Sequence, residues 1–530
     1  MTITSFTFIL FIFATLILYY VIPKKFQWVV LLIASTAFYL LSSIKGAVFI
    51  LITAITVYGA TCWIQSITDK QKQYFKDNKA SLTKEDKTAV KEKNKKAKKA
   101  IFICTLILNF GIMCVVKYSH FAVDTVNSLF GSGLNNEFKL IVPLGLSFYT
   151  FQSMGYLINI YWGNYKAEKN FLKVLLFISF FPQMTQGPIS EFDQLSNELF
   201  SEHKFTYKNY SWGFQRMIWG FVKKMIIADT FAPCVNDIFE NYNSYTGITA
   251  LLGAFMYSVQ IYADFSGYMD IMCGYCEMLG ITLTENFERP YFSKSIAEYW
   301  RRWHITLGAW FKNYIYYPIG VSKWNRNLGK KLTQKCGKSV GKNLPATLAL
   351  IVVWLTTGLW HGATWAYVAW GGVNGLFIIF SMWMEPVYTK TKSALHINED
   401  KWLWRAFQTI RTFVLVTFIK VLPEVGTLSQ GLGLWKHSLL KLLSPVSLTK
   451  LIPYVSDSDK IFYIRFALAV LGTVVIFVLS LLQRKTPFRN HFNKIPMPLR
   501  AVILAGIVLI IATFGVQSTW GEGGFMYANF

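Results

Sequence analysis

Apolar runs of about twenty residues recur along this 530-residue chain and limit its possible folds more than any other feature. A helix needs roughly 20 apolar residues to cross the hydrocarbon core of a bilayer. Only 15% of the residues are charged, which is typical of a polytopic membrane protein. We predict an all-α membrane fold with about 11–12 spanning helices plus re-entrant or interfacial segments. The predicted spans lie near residues 4–22, 26–43, 46–64, 101–117, 139–162, 212–232, 246–277, 345–360, 362–384, 405–422, 462–482 and 499–516.

The net charge of +25 is concentrated in short stretches between these spans. Twelve lysines and five acidic residues fall in 67–100, seven basic residues and no acid fall in 322–343, and a third basic cluster covers 483–500. Basic loops next to spans mark the cytoplasmic face, so we expect these loops inside and both termini outside. This distribution argues against nucleic acid as the partner and favours anionic membrane lipids. Some of this charge could also attract an anionic soluble donor.

The middle of the chain departs from this regular pattern. The segment "FLKVLLFISFFPQMTQGPISEF" at 171–192 is apolar, but Pro182, Gly187 and Pro188 interrupt it after about a dozen residues. We therefore predict a re-entrant or interfacial segment there. The polar groups of irregular backbone at membrane depth need hydrogen-bond partners from protein or from water in a cavity. Residues 140–385 are therefore expected to surround a cavity. No internal repeat predicts a transporter built from two symmetric halves.

Polar residues inside the apolar run "YSVQIYADFSGYMDIMCGYCEML" form a second group of candidates. An ionisable residue in an apolar span costs about 2.5 kcal/mol or more, so a function is the first hypothesis for Asp264 and Asp270. The structural alternative pairs them with Arg301 or Arg302, two basic residues that need anions. Helical spacing places two pairs of side chains on shared faces, Gln260 with Asp264 and Ser266 with Asp270.

Two of the seven histidines, His304 and His361, lie in aromatic, apolar surroundings. They occur in "EYWRRWHITLGAWFKNYIYYPIG" and "TTGLWHGATWAYVAWGG", where Gly362 after His361 can end a helix. Imidazole can take a proton from a hydroxyl and return it to a thiolate. A lone histidine on an apolar face is usually a packed core residue, so both interpretations stay open on these grounds. Neither histidine has the neighbouring ligands of a metal site, and none is predicted.

These motifs resemble the membrane-bound O-acyltransferase family, and within it the bacterial branch that O-acetylates exopolysaccharides. The resemblance includes the runs "GLSFYTFQSMGYLINIYWG", "FISFFPQMTQGPISEFDQL", "QIYADFSGYMDIMCGYCEMLGITLTENFERPYFSKSIAEYWRRWH", "LWHGATWAYVAWGGVNGLF" and the terminal "GGFMYANF". It extends over nearly the whole chain. The chain departs from the family pattern after "YYPIG", where we expect a longer basic loop.

The resemblance implies a helical fold with funnels from both faces and a narrow tunnel between them. It implies His361 as the catalytic histidine and His304 as the second active-site position. The acyl donor would be a cytosolic thioester, acetyl-CoA, acting as a substrate with no cofactor bound permanently. Arg301 and Arg302 could bind its phosphates. Four tryptophans could line the acyl tunnel, although packing at the membrane interface is the more common role for each one alone: Trp300, Trp303, Trp310 and Trp360.

The resemblance also implies a single domain over 1–530 in the cytoplasmic membrane of a bacterium. Its expected parts are N-terminal helices at 1–138, a catalytic core at 139–385 and C-terminal helices at 386–530. The expected partners are an extracytoplasmic acetyl-transfer protein and a polysaccharide synthase complex. They would dock on the outer loop 422–461 and on the C-terminal tail.

Two other functions stay open at this stage. A sibling branch of the family passes D-alanine from a carrier protein towards teichoic acids and also has both histidines. A non-enzymatic translocase for lipid or polymer would use the histidines for packing or proton relay. The sequence does not identify the polymer that receives the acyl group.

Overall fold

The computed structural model describes residues 2–137, 140–245, 247–440, 460–483 and 488–517. These residues form helices and connecting segments, and their only β-structure is a single antiparallel bridge between Phe287 and Trp303. The predicted all-α class is therefore confirmed. The chain divides into two compact units. Unit 1 contains Phe6–Tyr207 and Leu279–Leu283, and unit 2 contains Thr2–Ser5, Lys208–Met278 and the described residues from Thr284 onward.

Eight helices among the described residues are long and apolar enough to cross a membrane. They are Lys24–Ser42, Ala47–Asp77, Lys84–Phe130, Ile248–Leu279, Lys338–His361, Trp365–Ala394, Lys460–Leu482 and Met497–Phe514. Helix Phe6–Val21 is apolar but shorter. The other predicted spans also coincide with helices, and they fall outside these eight by length or hydropathy. The chain is thus a multi-pass helical membrane protein.

The described residues of unit 1 form eight helices. They are α1 Phe6–Val21, α2 Gln27–Ser42, α3 Ala47–Asp77, α4 Lys84–Phe130, α5 Leu146–Trp162, α6 Phe171–Ser179, α7 Phe181–Met184 and α8 Phe192–Leu199. A 3-10 turn, Lys24–Phe26, precedes α2.

The lysine-rich segment 67–100 is helical, and its prediction as a loop was wrong. Helices α3 and α4 continue through it and leave only a short turn, because lysine, glutamate, glutamine and alanine favour helix. Thr83 and Asp86 form a reciprocal capping box at the start of α4. The amide of Asn94 donates to Gln71 across the two helices, with 2.9 Å between nitrogen and oxygen. The segment is therefore a helical hairpin.

The interruption predicted in 171–192 is confirmed. Helix α6 ends at Ser179, Phe180 is non-helical and α7 has four residues. The backbone that follows is irregular, and residues 180–190 are all buried. Inside unit 1, Gln152 donates to the carbonyl of Phe177 and Gln183 donates to Ser190, each across 2.6 Å. Buried amide side chains thus supply hydrogen-bond partners to polar groups in and next to the irregular backbone.

Unit 2 contains the remaining helices. They are α9 Tyr207–Phe221, α10 Asp229–Glu240, α11 Ile248–Leu279, α12 Ile296–Arg302, α13 Ile305–Phe311, α14 Tyr317–Gly320, α15 Lys323–Cys336, α16 Lys338–His361, α17 Trp365–Ala394, α18 Trp402–Val421, α19 Leu428–Leu440, α20 Lys460–Leu482, α21 Phe488–Phe492 and α22 Met497–Phe514. Two π-helical segments, Val222–Ala228 and Lys312–Tyr316, interrupt the α-helical pattern. The stretch 322–343, expected to be a basic loop, is helical because Ser322 caps α15 and α16 starts at Lys338.

Helices α9 and α11 approach closely through two pairs of glycines. A Cβ added at Gly213 would lie 2.3 Å from the carbonyl oxygen of Gly274, and one at Gly220 would lie 2.6 Å from that of Gly267. Each helix therefore carries small residues seven positions apart, a spacing that lets two backbones touch in a membrane. This contact sets the polar side chains of α9 and the following π segment against those of α11.

Part of the expected docking surface lies outside the described residues. Residues 441–459 of the outer loop, residues 518–530 of the tail and the terminal "GGFMYANF" motif belong to that part of the chain.

Candidate active site

His361 is the last residue of α16, and Gly362 after it is extended. The helix end predicted at this dipeptide is confirmed. The imidazole is 2% exposed and packs between Trp360 and Trp370, whose ring centroids lie 4.9 and 4.8 Å from its own. Glycine is required next to it, because a Cβ at position 362 would lie 2.1 Å from the ring of Tyr367.

One hydrogen bond determines which nitrogen of His361 can act as a base. Nδ1 lies 2.8 Å from the carbonyl oxygen of Thr357, one helical turn earlier. A carbonyl only accepts, so Nδ1 carries the proton and donates it to Thr357. In the neutral ring the lone pair is then on Nε2. The geometry thus prepares Nε2 of His361 to take up a proton.

His304 has a left-handed backbone, with φ of 50° and ψ of 52°, and it caps α13. This conformation is uncommon for a residue other than glycine and costs of order 1 kcal/mol. Asn286, which is fully buried, holds the turn: its carbonyl accepts from the amide of Ile305, and its Oδ1 accepts from the amide and hydroxyl of Thr306. The bridge between Phe287 and Trp303 extends the same contact.

The two imidazoles share an aromatic neighbour. The ring of Trp360 lies 6.0 Å from that of His304 and 4.9 Å from that of His361. Phe265 of α11 packs edge-on against His304 at 4.8 Å. Burial lowers the pKa of His304 well below its ordinary value, and the nearby His361 lowers it further. Both rings are about 2% exposed, and the tunnel expected around them stays a prediction.

The tryptophans predicted near the site have different surroundings: Trp360 contacts both histidine rings, whereas Trp300 contacts Trp370, which packs on His361. Trp300 donates through Nε1 to Oδ1 of Asn374, 2.9 Å away on α17. Trp303 is 1% exposed and lies against Tyr299, with ring centroids 5.6 Å apart. Trp310 is also buried, on α13. Whether any of these rings contacts an acyl chain stays a prediction.

The expected pairing of Asp264 and Asp270 with Arg301 or Arg302 was wrong. Both carboxylates pair instead with basic residues on α9 and the π segment that follows it. Lys224 lies 2.7 Å from Asp264 and 2.8 Å from Asp229. Asp270 is bound by Lys223 at 2.6 Å and by Arg216 at 3.0 Å.

The arginines of the motif have different surroundings. Arg302 pairs with Glu298 one turn earlier, at 2.6 Å, and Arg301 is exposed. The glycine contact explains the carboxylate pairing, because it sets α11 against α9 and so brings Asp264 and Asp270 to the cations of α9 and the π segment. Gln260 and Ser266 are buried on α11, at 2% and 3% exposure. Donor binding by the two arginines stays a prediction.

Several residues near the site were not predicted from the sequence: Asn286, Asn374, Tyr367, Lys420 and Glu424. Lys420 and Glu424 could have been found from the sequence, because charged residues at the end of the apolar run "TFVLVTFIKVLPEV" need partners. Burial raises the pKa of Glu424, although hydrogen bonds from Tyr367 and Tyr257 lower it. Among the described residues, no three histidine, cysteine or acidic side chains are grouped as metal ligands.

The family model for "MBOAT, membrane-bound O-acyltransferase family" matches residues 167–334, which include His304. A probable alginate O-acetylase from Pseudomonas aeruginosa is 34% identical over 317 residues, covering 59% of this chain and 55% of the relative. A peptidoglycan O-acetyltransferase from Helicobacter pylori is 32% identical over 330 residues, covering 57% of this chain and 58% of the relative.

A teichoic acid D-alanyltransferase from Streptococcus thermophilus is 25% identical over 300 residues, covering 54% of this chain and 69% of the relative. The chain thus spans somewhat more than half the length of the O-acetylating relatives that it matches. Residues 167–334 thus match the membrane-bound O-acyltransferase family model, and the chain is similar over somewhat more than half of its length to O-acetylating members of that family.

Proposed function

We propose that the chain is a membrane O-acyltransferase that moves an acetyl group from a cytosolic thioester, acetyl-CoA, to a hydroxyl at the outer face of a bacterial cytoplasmic membrane. The product would serve the O-acetylation of a secreted polysaccharide. The observation that carries this proposal is the buried pair of imidazoles, with Nδ1 of His361 bonded to the carbonyl of Thr357. The relatives named for acetylation of alginate and of peptidoglycan support the choice of acyl group and of acceptor class.

In the proposed reaction His361 acts as the general base. Its Nε2 takes the proton of the acceptor hydroxyl while the oxygen attacks the thioester carbonyl carbon. The new carbon–oxygen bond forms and the carbon–sulfur bond breaks. The protonated His361 then returns the proton to the leaving thiolate, so the free thiol and the ester are the products. Proton transfer of this kind contributes about 10²–10⁴ in rate.

His304 would polarise the thioester carbonyl or share the proton. Its pKa is lowered, so the ring is neutral at physiological pH and can present either an N–H donor or a lone pair. The left-handed turn held by Asn286 fixes where that ring points. Arg301, which is exposed, and Arg302 would bind phosphates of the donor.

The proposal includes partners outside the membrane. The immediate acceptor would be a side chain of an extracytoplasmic acetyl-transfer protein, which then passes the group to a polysaccharide made by a synthase complex. Acetyl-CoA would act as a substrate, with no cofactor bound permanently. Anionic membrane lipids would contact the basic helices.

Acetyl transfer from radiolabelled acetyl-CoA by purified protein in detergent tests the proposal. His361→Ala should lose about 10²–10⁴-fold in rate while the protein remains folded. The matched control is His491→Ala, which removes an exposed imidazole from a short helix. Transfer by His361→Ala at the wild-type rate would refute the assignment.

The same assay separates the two alternatives. A D-alanyl carrier protein offered in place of acetyl-CoA would be the better donor if the chain works like the teichoic acid relative. A translocase would transfer neither group, and its histidine variants would behave like the wild type.

A further inference from the structure

The C-terminal end of α18 places two charged side chains near the two histidines. Lys420 is the penultimate residue of this helix, and Glu424 follows one turn later. The chain keeps a turn-like path between them, because the amide of Glu424 donates to the carbonyl of Val421 across 3.1 Å. We name residues 420–424 the α18 end segment.

Lys420 contacts the residue that precedes His304. Its Nζ lies 3.5 Å from the ring centroid of Trp303. The ring centroids of Tyr291 and Tyr299 lie 5.0 and 5.3 Å from the same nitrogen. It also donates to the hydroxyl of Tyr291 across 3.0 Å. The side chain is buried, and none of the ion pairs among the described residues includes it. Three aromatic faces surround this amine, and they offset part of the cost that burial adds to its protonated form.

Glu424 contacts the residue that packs beneath Gly362. Its Oε1 accepts a hydrogen bond from the hydroxyl of Tyr367 across 2.8 Å. The ring of Tyr367 fills the space where a side chain at position 362 would lie, directly after His361. Trp370 contacts both His361 and Tyr367, at centroid distances of 4.8 and 6.5 Å.

We propose that the α18 end segment is a positioning element for both histidines, with Lys420 acting through Trp303 on His304 and Glu424 acting through Tyr367 on His361. This inference rests on the proposed acyl transfer. One helical turn thereby links two histidines that are 57 residues apart in the sequence, counted from 304 to 361. A shift of about 1 Å in a reacting group can cost 10²-fold in rate, so a link that fixes both rings matters for catalysis.

Kinetics of acetyl transfer by conservative variants test this element. Tyr367→Phe and Glu424→Gln weaken the same hydrogen bond, so each should lower kcat by about 10–100-fold and leave the KM for acetyl-CoA nearly unchanged. The double variant should be no slower than the slower single variant, because the two residues act as a unit. Lys420→Met acts on the other histidine, so its loss should multiply with that of Tyr367→Phe.

Three matched variants control for general damage: Lys401→Met at the opposite end of α18, Glu399→Gln before that helix and Tyr388→Phe on α17. All three residues are exposed and should keep wild-type kcat. Losses of Tyr367→Phe and Glu424→Gln that multiply, or a fall confined to KM, would overturn the inference.

A spectroscopic readout keeps this inference separate from the proposed function. The emission of Trp303, obtained by subtracting spectra with and without Trp303→Phe, should change in Lys420→Met because the amine lies over the indole. This measurement needs no substrate. Absence of acetyl transfer in the wild type would refute the function alone, whereas unchanged Trp303 emission in folded Lys420→Met would refute the contact on which the positioning depends.

Discussion

Lys224→Met should destabilise unit 2 much more than Lys223→Met, although the two lysines are adjacent in one π-helical segment. The Lys224 side chain is fully buried between Asp229 and Asp264, whose side chains are 3% and 2% exposed. Lys223 is 8% exposed, and its partner Asp270 also binds Arg216. Only the first substitution therefore removes a cation that two buried carboxylates share.

The expected magnitudes follow from these partners. Removing one member of a buried ion pair costs about 3–5 kcal/mol, because the remaining charge keeps its desolvation penalty. Lys223→Met leaves Asp270 paired at 3.0 Å, so we expect only the loss of a charged hydrogen bond, about 1.5–3 kcal/mol. At about 1.4 kcal/mol per factor of ten, the first loss raises the unfolded population by about 10²-fold or more.

Unfolding by denaturant in detergent, followed by tryptophan fluorescence, measures this difference. Lys392→Met is the control, because its pair with Glu399 lies at the surface and contributes little. Adding Asp229→Asn and Asp264→Asn to Lys224→Met should restore much of the stability, since uncharged groups need no cation. Equal losses for the two lysine variants, or no recovery in the triple variant, would show that the reasoning from burial is wrong.

Two further predictions concern backbone positions. His304→Gly and His304→Ala should both lose acetyl transfer, but the glycine variant should unfold at a higher temperature, because the left-handed turn costs alanine about 1 kcal/mol that glycine avoids. Gly220→Ala should lower the unfolding temperature, since its Cβ would lie 2.6 Å from the carbonyl of Gly267, whereas Gly111→Ala meets no atom within 4 Å and should be neutral or stabilising. Equal melting temperatures within either pair would contradict the corresponding argument.

Hydropathy located eight of the twelve predicted spans, because the bilayer requires long apolar runs, and the other four runs coincide with helices that are shorter or less apolar. The hydropathy pattern did not predict the helices at 67–100 and 322–343, because high charge was taken to indicate loops there. Charge excludes a segment from the bilayer but does not prevent helix formation. Thr83 and Ser322 cap helices in these stretches, and both residues are visible in the sequence. These capping residues therefore indicated helices that the charge pattern alone did not reveal.

The partners of the buried carboxylates could not be read from the sequence in the same way. Lys223 and Lys224 also lie in an apolar run, but neither was predicted from the sequence as a partner of Asp264 or Asp270. Which cation meets which anion depends on how α9 and α11 are rotated against each other. The contact of Gly220 with α11 determines that rotation, and it is a tertiary feature.

The ion pairs of Asp264 and Asp270 also bear on which residue acts as the proposed catalytic base. Asp264 and Asp270 are bound by cations at 3.0 Å or less, so their carboxylates are already engaged in ion pairs. His361 instead has its Nδ1 fixed by a carbonyl, which leaves proton uptake to Nε2. His304 is held in a costly backbone conformation by Asn286, eighteen positions earlier in the chain. Strain retained at such a position is more common at functional sites than in ordinary packing. We therefore propose the two imidazoles, and not the two aspartates, as the acid–base groups.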